Sequence, residues 1–109
     1  MPTLLTLDTA HSEDGKHLLI AAGEIDLSNI DAFKNALASA TAEAANTGSP
    51  LTVDLSAVEY LDSAAINALF AHADGIRLIA HPLLLSALTV SGLAELVNIE
   101  NASAATESN

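Results

Sequence analysis

Three short apolar runs, His17 to Ala22, Leu51 to Leu55 and Ile76 to Ala80, are separated by stretches whose apolar residues recur at helical spacing. That alternation constrains the fold more than any other feature, because strands joined through helices run parallel and build a layered α/β domain. Between the first two runs, Ile30, Phe33, Leu37 and Ala40 or Ala44 mark a helix that begins near Ser28 and is closed by Asn46-Thr47-Gly48-Ser49-Pro50. Its length is about four turns at 3.6 residues per turn. Ser56 to Asp62 reads as a connection in which Val58 and Leu61 point inward. A second helix starts at Asp62 or Ser63, both favoured N-cap types, runs through Ala64-Ala65-Ile66-Asn67-Ala68-Leu69-Phe70 and stops near Asp74-Gly75. His81-Pro82 is a break, Leu83 to Ala94 a third helix disturbed near its end by Gly92, and Leu96 to Glu100 a last short strand.

Ahead of this alternation, Thr3 to Thr9 alternates imperfectly and meets the polar segment His11 to Lys16, whose Asp14-Gly15 pair signals a tight turn. The expected architecture is therefore a single α/β domain: a mostly parallel mixed sheet of about five strands with an N-terminal hairpin and about three packed helices. A chain of 109 residues supports one core. The domain is expected over residues 1–102, with 103–109, small and polar, as a flexible C-terminal tail.

Charge and side-chain chemistry narrow the function. Three Lys plus Arg against fourteen Asp plus Glu give a formal charge of -11, so a phosphate backbone or an anionic bilayer is repelled. The apolar half is built from 22 Ala and 18 Leu, with no Trp and only three Phe plus Tyr, which leaves little for stacking on bases. No nucleic acid partner and no membrane insertion are expected: the most apolar long window, Ile76 to Val97, contains Arg77, His81, Pro82 and Glu95. Zero cysteines exclude disulfides, thiolate zinc sites and a Cys nucleophile. The opening Met-Pro-Thr-Leu-Leu-Thr-Leu-Asp lacks the basic region of a signal peptide, so a cytoplasmic location is expected.

Catalytic signatures are equally sparse. The histidines at 11, 17, 72 and 81 include no pair at the i, i+4 spacing of a helical metal site, and no metal or cofactor is expected. Ser63 stands beside Asp62, yet no Gly-x-Ser-x-Gly elbow surrounds it. The five glycines are isolated, so no phosphate-binding loop is formed, and the chain is not read as an enzyme. Asn101-Ala-Ser103 matches a glycosylation sequon, which without secretion is a coincidence.

Two acidic segments carry more information: Gly23-Glu24-Ile25-Asp26-Leu27-Ser28, and Asp54-Leu55-Ser56-Ala57-Val58-Glu59-Tyr60-Leu61-Asp62-Ser63. Read as loops after successive parallel strands, they lie along one rim of the sheet and can form a single face. The plainer explanation is that Asp26 or Ser28 caps the first helix and Asp62 or Ser63 the second.

Gly23-Glu-Ile-Asp26, with Val53-Asp-Leu-Ser56-x-Val58-x-x-Leu61-Asp62-Ser63, resembles the STAS domain of bacterial anti-sigma factor antagonists. The resemblance extends through Ile76 to Ala80 and Ser91-Gly92-Leu93. It implies a protein that binds an anti-sigma factor, itself often a serine kinase of histidine-kinase-like ATPase fold, and so releases a sigma factor. It implies further that the kinase phosphorylates the serine of the Asp-Ser motif to end the interaction, and that a PP2C-type phosphatase restores it. Ser63 matches that phosphoacceptor, and Gly23, Glu24, Asp26, Ser28, Asp62 and Asn67 are the expected partner-binding positions around it. The chain departs from the family where Ser-Gly-Leu-Gly is common, reading Ala64-Ala65-Ile66-Asn67 after Ser63, and its second helix meets Gly75 early. A STAS subunit making a constitutive contact in a transporter or lipid-trafficking assembly is the alternative, and a small enzyme or nucleotide-binding module a third.

Overall fold

A computed structural model describes residues 4–11 and 15–102. Two antiparallel strands, β1 (Leu5–His11) and β2 (His17–Ile25), open the domain, and three crossovers follow. Helix α1 (Ile30–Ala45) leads to β3 (Leu51–Leu61), α2 (Ser63–Ala71) to β4 (Ile76–Ala80), and α3 (Pro82–Val90) to β5 (Ile99–Asn101). The sheet order is β1-β2-β3-β4-β5, with every pair after the first parallel. Five strands in a mixed, mostly parallel sheet, an N-terminal hairpin and three helices are the architecture expected from the alternation of periods. The hairpin's Asp14 falls among residues 12–14, outside the described residues, as do 103–109.

The core forms because one side of each element is apolar at that element's own period. Leu51, Val53 and Leu55 of β3 and Ile76, Leu78 and Ala80 of β4 are buried, while the intervening Thr52, Asp54, Arg77 and Ile79 are half-buried on the opposite face. Phe33, Leu37, Ala40 and Ala44 bring α1 onto this layer at the expected spacing, and α2 and α3 contribute Leu69 and Leu88 to the same cluster.

Several boundaries differ from the sequence expectation. Gly23 to Ile25 and Ser56 to Leu61 are strand, not loop: β2 and β3 pair as far as Ile25 and Leu61. Between Ile20 and Ala22 the pairing advances from Asp54 to Ala57, and between Gly23 and Glu24 it advances from Val58 to Tyr60, so β3 carries an extra residue at each of two bulges. Each insertion stretches the spacing of inward residues from two to three, giving Leu55, Val58, Leu61 in place of simple alternation. Val58 and Leu61 are buried as expected, although the element around them is a strand.

The third helix ends at Val90, not Ala94, because Gly92 adopts a left-handed φ of +88° and stops it; a short 3₁₀ turn, Leu93–Glu95, follows. The last strand is correspondingly later than Leu96, at Ile99–Asn101. Similarly, Ala73–Gly75 is a 3₁₀ turn rather than the end of α2. At the other end of α3, the His81-Pro82 break is a capped helix start: the Leu83 amide donates to His81 Nδ1 at 3.0 Å and Pro82 occupies the first turn.

Candidate functional site

The segments Gly23–Ser28 and Asp54–Ser63 come together as the carboxyl ends of two neighbouring strands and the turns that leave them. Glu24 pairs with Tyr60 and Ile25 with Leu61, so the two acidic segments adjoin as expected, through strand pairing rather than between loops.

Each Asp-Leu-Ser tripeptide builds the same local device. Asp26 Oδ1 accepts from the Ser28 amide at 2.9 Å and from the Ser28 hydroxyl at 2.6 Å. Asp54 Oδ1 accepts from the Ser56 amide at 2.9 Å and the Ser56 hydroxyl at 2.6 Å. An aspartate that bonds the backbone two residues on makes a tight turn out of its own side chain. In β3 this turn coincides with the first bulge; after β2 it shapes the exit toward α1.

Neither Asp26 nor Ser28 is the N-cap residue of α1. That position is Asn29, whose side chain accepts from the Asp26 amide at 3.0 Å and donates to the Glu24 carbonyl at 2.9 Å, bracing the turn instead of the helix. At α2 the capping expectation holds for Asp62: its Oδ1 accepts from the Ala65 amide at 3.1 Å. Its Oδ2 accepts from the Leu27 amide at 3.2 Å, and its own amide donates to the Ile25 carbonyl at 3.2 Å. Asp62 thus clamps the β2–α1 turn to the start of α2.

Ser63 is the first residue of α2 and is exposed. Among the described residues its hydroxyl makes no hydrogen bond, in contrast to Ser28 and Ser56. Asn67, also exposed, lies one helical turn further on the same side. It lines a shallow groove of about 340 Å³ between α1 and α2, with Ala64, Ala68, Ile30, Lys34 and Leu27. Leu27, 76% exposed between Asp26 and Ser28, is a large apolar side chain at the surface that the sequence alone did not single out; its signal was a large aliphatic residue inside a polar turn.

Gly23 has a backbone reason to be glycine. Its φ is +109°, and a Cβ there would lie 2.3 Å from the Leu4 carbonyl oxygen, whose partner is the Glu24 amide at 3.1 Å. Glu24 and Glu59, both exposed, border a second pocket of about 270 Å³ with Leu4. The site therefore combines carboxylates from Glu24, Asp26, Glu59 and Asp62 with an exposed serine hydroxyl and an apolar groove.

The sequence profile described as "Mlab, STAS domain" matches residues 9–98. The chain belongs to the STAS-domain family. A crystal structure of an anti-sigma factor antagonist from Mycobacterium paratuberculosis is similar to this STAS domain, with 26% identity and a TM-score of 0.76 over 89% of this chain and 86% of that chain. The anti-sigma factor antagonist SpoIIAA in its unphosphorylated form shares the fold at 14% identity, TM-score 0.63, over 94% of each chain. So does an antisigma-factor antagonist STAS domain from Rhodobacter sphaeroides, at 18% identity and TM-score 0.51 over 69% of this chain and 83% of that one. No protein of curated function matches this STAS domain in sequence.

His11 and His17 pair across the hairpin with ring centroids 4.3 Å apart, and His17 Nδ1 lies 4.0 Å from Glu43 Oε1. Among the described residues no three His, Asp or Glu side chains are arranged to hold a metal ion, and no helix is long and apolar enough to cross a membrane.

Proposed function

We propose that this STAS domain is an anti-sigma factor antagonist: a binding switch that docks on an anti-sigma factor and so releases a sigma factor. The observation that carries the reading is Ser63, an exposed hydroxyl without a hydrogen-bond partner among the described residues, at the start of α2 beside the Asp62 clamp. The likeness to the Mycobacterium paratuberculosis antagonist across most of both chains supports it.

In this reading the docking surface is the β2–α1 turn, Ser63, Asn67 and the α1–α2 groove, with Glu24, Asp26 and Asp62 facing a basic partner surface. Leu27 and the groove supply apolar contact. The partner is a serine kinase of histidine-kinase-like ATPase fold that transfers phosphate from ATP to the Ser63 hydroxyl. A phosphoserine adds roughly two negative charges and three acceptor oxygens. At a helix N-terminus that charge is locally tolerated, so the fold survives while docking is lost. A PP2C-type phosphatase resets the switch. The site works by binding rather than catalysis, and the domain, residues 1–102, functions without the tail 103–109 in a cytoplasmic setting.

A second reading rests on the family description, an Mlab STAS domain, and on Ala64-Ala65-Ile66-Asn67 standing after Ser63: the same face makes a constitutive contact in a transporter or lipid-trafficking assembly. The experiment that separates them is an affinity pull-down with unmodified protein, followed by incubation of the recovered complex with ATP. Phosphate on Ser63 with release of the partner supports the switch; a complex indifferent to ATP supports the constitutive contact.

A further inference from the structure

The spacing that excludes a metal site along one helix does not exclude one across a hairpin. His11 ends β1 and His17 begins β2, and the two stand directly opposed in the antiparallel register. Residues so opposed share a face of the sheet and hold their Cβ atoms about 5 Å apart. The face is the one turned to α1, since His17 is in phase with the buried Leu19 and Ala21. The two imidazole rings meet at a centroid separation of 4.3 Å and an interplanar angle of 62°. From the last turn of α1, Glu43 Oε1 faces His17 Nδ1 at 4.0 Å, which leaves His17 Nε2 for another partner.

We propose that His11 and His17 chelate one divalent transition-metal ion of the Zn²⁺ class, with Glu43 positioning the His17 ring. Two imidazoles on one ion, at about 2.0 to 2.1 Å per nitrogen, keep their ring centres roughly 4.5 to 5 Å apart. The observed 4.3 Å needs only a small opening to reach that spacing. A histidine that ligates a metal commonly turns its other ring nitrogen to a carboxylate, and Glu43 stands in that place. Imidazole nitrogen selects Zn²⁺, Ni²⁺ or Cu²⁺ over Mg²⁺ and Ca²⁺, which prefer oxygen. The local field favours a cation as well: the chain carries -11, and the negative end of the α1 dipole has no basic residue in its last turn. His11 is exposed and the Glu43 side chain is 65% exposed, so the ion and its water ligands have a way in. With two protein ligands the remaining coordination positions belong to water, and the site binds reversibly rather than as a closed structural centre. It lies at the rim opposite Ser63, because β2 starts at His17 and ends at Ile25 beside Leu61. The metal site and the switch therefore stand or fall separately.

Calorimetric titration of the tag-free, chelator-treated full chain with Zn²⁺ alone tests the site. The expected result is one Zn²⁺ per chain, a higher melting temperature with the ion bound, and no competition from a large excess of Mg²⁺. His11→Ala, at an exposed position, should keep the circular dichroism spectrum and lose Zn²⁺ affinity by more than roughly tenfold, and Glu43→Gln should lose roughly tenfold with the metal-free melting temperature unchanged. His72→Ala should bind as the unmodified protein does, since that ring contacts Thr41 on the α2 side of α1. Ring-nitrogen NMR should show His17 ligating through Nε2 with its proton on Nδ1, the signature of the Glu43 contact. Absence of Zn²⁺ binding, undiminished binding by His11→Ala, or equal competition by Mg²⁺ would overturn the site, and unchanged affinity in Glu43→Gln would overturn the positioning role.

Discussion

The Asp62 carboxylate holds the Leu27 amide at 3.2 Å, a bond between residues 35 apart in sequence, while its other oxygen caps α2 through the Ala65 amide at 3.1 Å. One side chain therefore sets both the height of the β2–α1 turn and the start of the helix that presents Ser63. Any change in Asp62 is felt at both places.

Asp62→Ala should cost about 1 to 3 kcal/mol, the loss of an N-cap plus a second backbone bond. For a domain of this size each kcal/mol is worth roughly 4 to 8 °C in melting temperature. Asp62→Asn, which keeps one acceptor oxygen, should recover part of the loss. Urea unfolding of both variants provides the check, and equal stability of Asp62→Ala and the unmodified protein would show that the clamp contributes nothing.

Gly23→Ala should destabilise by about 2 to 4 kcal/mol, because an alanine there combines an unfavourable positive φ with a backbone clash. The Leu4 carbonyl is the group that must move, so amide exchange should accelerate first at Glu24, which donates to it at 3.1 Å. A thermal scan that leaves the variant within a degree of the unmodified protein would contradict this role.

The layer order was legible because Leu51, Val53 and Leu55 alternate as a strand does, and Phe33, Leu37, Ala40 and Ala44 recur as a helix does. The second half of β3 was not. Two bulges space Leu55, Val58 and Leu61 by three, a pattern that matches neither a strand nor a whole helix. At the site, Asp62 was readable as a cap because an aspartate precedes an alanine-rich run. Its bond to Leu27 was not, since nothing local marks which turn a parallel neighbour brings alongside. For the same reason the close approach of the Leu4 backbone to Gly23 was not legible either. The paired Asp-Leu-Ser tripeptides stood in the sequence throughout, and only the geometry shows that their serines are bonded to aspartates while Ser63 has no partner among the described residues.

Salt should slow partner association. If the carboxylates of Glu24, Asp26 and Asp62 steer a basic surface toward the site, the association rate falls between low and physiological ionic strength while dissociation changes less. Stopped-flow measurement at several salt concentrations decides, and a flat association rate would favour the apolar groove as the source of affinity.

Deleting Ser103 to Asn109 should leave thermal stability and partner binding close to full-length values, because the segment offers no large apolar side chain. A fall in melting temperature of more than a few degrees would show that the tail docks on the domain.

The central claim, that Ser63 is the switch, is tested most directly by measuring anti-sigma factor affinity and melting temperature together for Ser63→Asp and Ser63→Ala. Asp62, not Ser63, is the N-cap, so neither change should disturb the fold. Ser63→Ala should bind persistently and resist inactivation by ATP. Ser63→Asp should remain folded and bind weakly, although one carboxylate carries less charge and bulk than a phosphate. Folded Ser63→Asp that binds the anti-sigma factor with unchanged affinity would contradict the phosphoswitch.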